Sequence, residues 1–133
     1  MGDVNRPVRV GVIGAGGRMG TAVRHAVTDA PDMTVAAALD LGDALTGLTD
    51  SGCDVVVDFT HPDAVMEHVR FAAAAGIDCV VGTSGFGVDK LAEAQAIADA
   101  HPGWGLVVVP NFALGAVLAL KFARTAARYF ESA

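Results

Sequence analysis

The sequence predicts an α/β fold in which one doubly wound parallel sheet is covered by helices on both faces, giving three layers. Three observations predict it. Short apolar runs alternate five times with longer stretches, most of which read as amphipathic helices. The runs are mostly continuous in hydrophobicity, as expected of strands covered on both sides. A glycine-rich turn, Gly14-Ala15-Gly16-Gly17, separates the first run from the first helical stretch. At 133 residues the chain suits one hydrophobic core.

The elements follow in order. Val8 to Ile13 reads as a strand and Arg18 to about Ala30 as a helix. Thr34 to Leu39 is a second strand, and an irregular stretch to Gly52 holds a short helical turn over Asp43 to Leu48. Asp54 to Phe59 is a third strand and Pro62 to about Ala75 a helix. Thr60 or His61 is expected to cap this helix, Pro62 suits its first turn, and Asp63 and Glu67 lie near its positive end. Gly76 is placed to end it. Asp78 to Gly82 and Leu106 to Pro110 read as further strands, each followed by a helix, Val88 to about His101 and Ala113 to Phe130. Repeated strand–helix order predicts right-handed crossovers.

Composition narrows the function classes. With 53% hydrophobic and 18% charged residues, the chain is too apolar for disorder. A net charge of −6 and only two lysines, Lys90 and Lys121, argue against nucleic acid or an anionic membrane surface as a partner. Cys53 and Cys79 lack metal-site spacing and read as reduced buried thiols. The N-terminal residues contain no apolar signal core, so a cytoplasmic location is expected. Pro102 to Leu120 carries no charge. Pro110-Asn111 interrupts it after a β-branched run, so it reads as a strand, a turn and a helix start rather than a membrane span.

The glycine turn carries the sharpest local chemistry. Gly14 allows a tight exit from the first strand, and Gly16 and Gly17 leave backbone amides open to a diphosphate. Gly20 lets the helix approach the sheet. The helix N-terminus adds free N–H groups and a partial positive charge. The glycines fall at 14, 16, 17 and 20, a Gly-x-x-Gly-x-x-Gly spacing with an extra Gly16, rather than Gly-x-Gly-x-x-Gly. Asp40 ends the second strand at the distance where such loops have an acid for the adenosine ribose. Together they predict a Rossmann-like dinucleotide site binding NAD at least as well as NADP. A 2′-phosphate would need a cation beside Asp40, and Arg18 is the available one.

Ligands of open α/β sheets lie beyond the carboxyl ends of strands. There the sequence places Asp58-Phe59-Thr60-His61-Pro62, Gly82-Thr83-Ser84-Gly85-Phe86 and Pro110-Asn111-Phe112. Small, hydroxyl and amide side chains suit a nicotinamide riboside, with Phe59 or Phe112 as an apolar wall. His61 is expected in the helix entry turn rather than in catalysis, and His25, His68 and His101 on helices. Asp58 lies inside the buried strand end, where it is left to hold the neighbouring loops.

Taken together, Val10 to Gly20, Asp58 to Pro62, Val81 to Phe86 and Val108 to Ala116 make the chain resemble the N-terminal, nucleotide-binding part of the dihydrodipicolinate reductases. These are the 4-hydroxy-tetrahydrodipicolinate reductases of lysine and diaminopimelate synthesis. The resemblance runs from Arg9 onward. It implies hydride transfer from NADH or NADPH to a cyclic dicarboxylate. It also implies that Gly14, Ala15, Gly16, Gly17, Arg18 and Met19 hold the diphosphate and Asp40 the ribose. Gly82, Thr83 and Ser84, with Val109, Pro110, Asn111 and Phe112, would meet the nicotinamide end. Ser84 stands where the family usually has threonine. The family continues into a substrate domain opening with a His-His-x-x-Lys motif, which supplies a proton donor and a cation. No such motif occurs here, so residues 1–133 are expected to be the dinucleotide-binding domain, the substrate domain absent, with little turnover alone. A stand-alone dinucleotide-binding module, or another small-substrate dehydrogenase on the same fold, stays open. The last helix carries Val117, Leu118, Leu120, Phe122, Tyr129 and Phe130 on more than one face, which predicts self-association or a partner at that surface.

Overall fold

The computed structural model describes residues 6–109 and 114–128. The order is β1 (Val8–Ile13), α1 (Arg18–Asp29), β2 (Met33–Leu39), α2 (Thr46–Asp50), β3 (Val55–Asp58), α3 (Val65–Ala75), β4 (Asp78–Val81), α4 (Val88–Ala100), β5 (Leu106–Val108) and α5 (Leu114–Ala127). The strands form one parallel sheet in the order β2-β1-β3-β4-β5. The expected Rossmann-like α/β fold is therefore the fold observed.

The winding reverses at β1, which lies between β2 and β3. This is the switch point at which such sheets open a crevice. Register sets the crevice walls. Ile13 pairs with Leu39 on one side and Asp58 on the other, and Asp58 pairs with Val81. The chain therefore leaves β1, β2, β3 and β4 at one level, and Gly14, Asp40, Phe59 and Gly82 emerge side by side.

Alternate residues of the strands feed two cores, because successive side chains point to opposite faces. On one face Ile13, Val56, Cys79 and Val81 pack with Leu48 of α2, Val65, Met66 and Val69 of α3, and Ala94 of α4. On the other Val10 and Val12 pack with Val23 and Val27 of α1. Val12, Val56, Val65, Val69 and Val81 are fully buried, each contributing about 1.5–3 kcal/mol of transfer free energy. Cover is incomplete at the β5 edge, where Val107 remains 56% exposed. A continuous apolar run does not there mean burial on both faces.

The third helix starts later than the sequence suggested, and neither Thr60 nor His61 caps it. The His61 carbonyl accepts from Ala64 N–H at 2.9 Å and Val65 N–H at 3.1 Å, making a turn, and Ala64 occupies the cap position without a side-chain bond. Thr60 is drawn instead to the carboxylate of Asp58, a stronger acceptor than a backbone group. Gly76 ends α3 as expected, in the left-handed region at φ 68°. The short turn before β3 is the helix α2, three residues later than its expected start. Tyr129 and Phe130, read as the end of the last helix, lie outside the described residues.

Both cysteines are free and buried. Burial pushes the Cys79 thiol up to about 12, helped by the negative charges of Asp58 and Asp78. Burial also raises Cys53. Because the thiolate is the reactive form, neither is expected to react with a disulfide reagent until the domain unfolds. Thiol release in step with the urea transition checks this, and rapid release of either from native protein would contradict it. Among the described residues no helix is long and apolar enough to cross a membrane.

Candidate functional site

The first βα turn is built so that backbone meets backbone. Gly14 has φ 81°, and a Cβ there would lie 2.6 Å from the Phe59 carbonyl oxygen. A Cβ on Gly20 would lie 2.0 Å from the Gly14 carbonyl oxygen, so only glycine lets α1 start this close to the turn.

The glycine amides themselves are committed to the protein. Gly14 and Ala15 N–H donate to the Leu39 carbonyl at 2.8 and 3.1 Å, and Gly17 N–H donates to Gly14 at 3.2 Å. Gly16 N–H donates to both oxygens of Asp40, at 2.9 and 3.0 Å. The donors left over are those of the first turn of α1. Gly17 at its N-cap offers no side chain, its first turn contains no acid, and the first helical bond is that of Thr21 to Gly17. The amides of Arg18 and Met19 thus have no acceptor among the described residues, at the positive end of a twelve-residue helix. This refines the expectation from sequence. The glycines shape the cradle, and the amides of Arg18 and Met19 are its free donors.

Asp40 is exposed beside this cradle. Its own N–H donates to Asp43 Oδ2 at 2.8 Å. Asp40 and Asp43 line a cavity of about 500 Å³ with Gly14, Gly17, Leu39, Leu41, Leu45 and Phe59, closed on the α3 side by Thr60, His61, Ala64, Glu67 and His68. The cavity is apolar within and acidic at its rim. Phe59 lines this cavity and not the one at the ends of β4 and β5. The Arg18 side chain is exposed and makes no hydrogen bond or ion pair with Asp40 or any other of the described residues.

A second cavity of about 520 Å³ opens at the ends of β4 and β5, lined by Thr83, Ser84, Gly85, Phe86, Gly87, Leu91 and Val108. Ser84 is exposed here. Thr83 is buried, and its hydroxyl turns inward to Asp58 Oδ1 at 3.0 Å. Only the backbone of Thr83 is left for a ligand. Gly82 N–H donates to the Asp58 carbonyl at 2.9 Å and Val109 N–H to Val81 at 2.8 Å, fixing both loops to the sheet. Pro110, Asn111 and Phe112, expected on the same side, lie outside the described residues.

The residue that sequence reasoning left without chemistry joins the two cavities. Asp58 is wholly buried. It accepts from Thr60 N–H at 2.9 Å, Thr60 hydroxyl at 2.6 Å, Thr83 hydroxyl at 3.0 Å and His68 Nδ1 at 2.6 Å. Burial pushes its carboxyl up, and the bonds from His68 and Thr60 outweigh that, holding it below the usual carboxylate range. One carboxylate thus ties the loop after β3 to the loop after β4. A signal existed in the sequence: an acid at an apolar strand end, a threonine two residues on, and a histidine one helix turn into α3.

Comparison with known proteins fits this geometry. Residues 8–112 match the family described as dihydrodipicolinate reductase, N-terminus. The 4-hydroxy-tetrahydrodipicolinate reductase of Nocardia farcinica is 50% identical over 125 residues, covering 94% of this chain and 50% of that protein. That of Mycolicibacterium smegmatis is 48% identical, covering 94% and 51%. The chain thus spans about half the length of these curated relatives. Among solved structures, a dipicolinate-bound dihydrodipicolinate reductase from Paenisporosarcina sp. TG-14 superposes with a TM-score of 0.74 at 32% identity, over 92% of this chain and 54% of that one. A myo-inositol 2-dehydrogenase from Lactobacillus plantarum, at 17% identity and a TM-score of 0.65 over 78% of this chain and 36% of that one, shares the fold. With most of its length matched by the family model, the chain belongs to the dihydrodipicolinate reductase N-terminal family.

Proposed function

We propose that this chain is the coenzyme-binding half of an NAD(P)H-dependent reductase. That enzyme converts 4-hydroxy-tetrahydrodipicolinate to tetrahydrodipicolinate in the cytoplasmic synthesis of lysine and diaminopimelate. The observation that carries the reading is the uncapped start of α1 beside Asp40, at the switch point of the sheet. The residues fit a dinucleotide. The cradle at Gly14 and Gly20 has no room for a Cβ, and the donors beside it are those an anion needs.

In this reading the amides of Arg18 and Met19 bind the diphosphate, and Asp40 accepts from the ribose hydroxyls. Phe59 covers the apolar side of the nucleoside. Gly82, Thr83 and Ser84 orient the nicotinamide end through backbone and the Ser84 hydroxyl, joined by Val109, Pro110, Asn111 and Phe112. The coenzyme supplies a hydride. The chain positions it and keeps it dry, and a substrate domain supplies the proton and the carboxylate clamp. The 133 residues contain no His-His-x-x-Lys motif, so the chain alone is expected to bind coenzyme and turn over little substrate. Assay with the cyclic dicarboxylate and NADH tests this, and turnover at an ordinary enzymatic rate would mean the catalytic groups have been misplaced.

Asp40, Asp43 and Glu67 line one cavity, which disfavours a 2′-phosphate. NADH is therefore expected to bind at least as tightly as NADPH, and Arg18→Ala to weaken NADPH more than NADH. Equal weakening of both would remove Arg18 from the 2′-phosphate. Val117, Leu118, Leu120 and Phe122 are 39–65% exposed along α5, which supports self-association. A molar mass that rises with concentration in light scattering is the expected result, and a constant monomer mass would contradict it.

A further inference from the structure

The pair formed by Asp58 and His68 has no part in the coenzyme reading so far. Its geometry restricts what His68 can present. His68 Nδ1 lies 2.6 Å from Asp58 Oδ2 and 3.4 Å from the Thr60 hydroxyl. A carboxylate only accepts, so Nδ1 carries a proton. In the neutral ring the lone pair is then on Nε2. Asp58 is held by Thr60 and Thr83 as well, so it cannot turn to release the ring.

His68 Nε2 has no hydrogen-bond partner among the described residues. No wholly buried polar side-chain atom among them lacks a partner, so Nε2 retains an open side. The ring lines the Asp40 cavity. If the diphosphate sits at α1 and the ribose on Asp40, as proposed above, the base lies beyond Asp40. There the cavity has the apolar side chains of Leu39, Leu41, Leu45 and Ala64, a surface for a flat ring. The Thr60 hydroxyl is occupied by Asp58. The titratable groups around this space are Asp40, Asp43, His61, Glu67 and His68. Glu67 and His61 are exposed, where hydrogen bonds to water compete and discrimination is weak. His68 is the part-buried one, with 12% of its side chain accessible.

We propose that His68, locked in one tautomer by Asp58, is a base-specificity residue. Its Nε2 accepts a hydrogen bond from the exocyclic amine of a 6-aminopurine. A 6-oxo purine puts an acceptor against that lone pair and is rejected. Asp58 is the positioning residue, acting through the ring.

The inference rests on the coenzyme reading, and the test separates the two. The chain is titrated by nicotinamide fluorescence with NADH and with reduced nicotinamide hypoxanthine dinucleotide, at about pH 9, where ordinary imidazoles are neutral. The wild type is expected to favour NADH about tenfold. His68→Ala should bring the two within about twofold, since the discriminating group is gone. Asp58→Asn presents an amide N–H to Nδ1 and moves the ring proton to Nε2, so the preference should vanish or reverse. Asp99→Asn, on α4 and outside both cavities, should leave the ratio unchanged. Circular dichroism confirms that each variant is folded, and His68→Ala decides the matter if Asp58→Asn is not. A wild type that binds both dinucleotides equally, or a His68→Ala protein that keeps the full preference, overturns the inference and leaves the coenzyme reading intact. Failure to bind either dinucleotide overturns both.

Discussion

Replacing Gly20 with alanine is expected to destabilise the domain by about 3 kcal/mol and to abolish coenzyme binding. The added Cβ would lie 2.0 Å from the Gly14 carbonyl oxygen, 2.8 Å from its carbon and 2.9 Å from Ala15 Cα. All three are backbone atoms, so no rotamer change relieves the overlap. Either α1 withdraws from the sheet, or the β1–α1 turn opens. Withdrawal weakens the packing of Val23 and Val27 on Val10 and Val12. Opening moves the amides of Arg18 and Met19, the free donors of the cradle. Gly87→Ala is the matched control, because a Cβ there meets nothing within 4 Å and its φ is −80°. It should change stability by less than about 1 kcal/mol, the gain through the unfolded chain offset by the poorer N-cap that alanine makes for α4. Urea midpoints of the two variants check this, and equal midpoints would mean α1 does not need its close approach to the sheet.

The second large effect belongs to Asp58. Asp58→Ala leaves the Thr60 N–H and hydroxyl, the Thr83 hydroxyl and the His68 ring without their shared acceptor. Removing one member of a buried charged network costs about 3–5 kcal/mol, a large part of the stability of a domain this size. The acid limb has a defined sign. The folded-state affinity of Asp58 for protons lies below that of an ordinary carboxyl. Its contribution is therefore present above about pH 4, the unfolded value, and is lost as pH falls through the folded value. Wild-type stability should fall more steeply below about pH 4 than that of Asp58→Asn, which cannot titrate. Urea midpoints taken at stepped pH values read this. Parallel acid limbs would show that Asp58 is not ionised in the folded domain.

Much of this architecture is legible in the residues. The β-branched runs at Val8–Ile13 and Val55–Asp58 and the glycine at 76 fix strands and a helix end through local preferences that tertiary structure does not override. Gly14 and Asp40 are legible because motif spacing encodes a backbone constraint and an acid at a strand end. Other features depend on contacts between segments distant in sequence. That the amide of Gly16 is spent on Asp40 follows only once β1 and β2 lie side by side. Thr60 reads as a helix cap from its neighbours, and becomes a ligand of Asp58 because burial makes that carboxylate the better acceptor. Thr83 reads as a hydroxyl for the ligand and turns inward for the same reason. His68 looks like any helical histidine until β3 puts a carboxylate against it.

The central claim is tested most directly by titrating the chain with NADH, wild type against Asp40→Ala. A coenzyme held by the α1 N-terminus with its ribose on Asp40 predicts saturable one-to-one binding. Loss of two charge-assisted hydrogen bonds in the variant should weaken it by about tenfold or more. Identical affinities for the two proteins, or no saturable binding to the wild type, would contradict it.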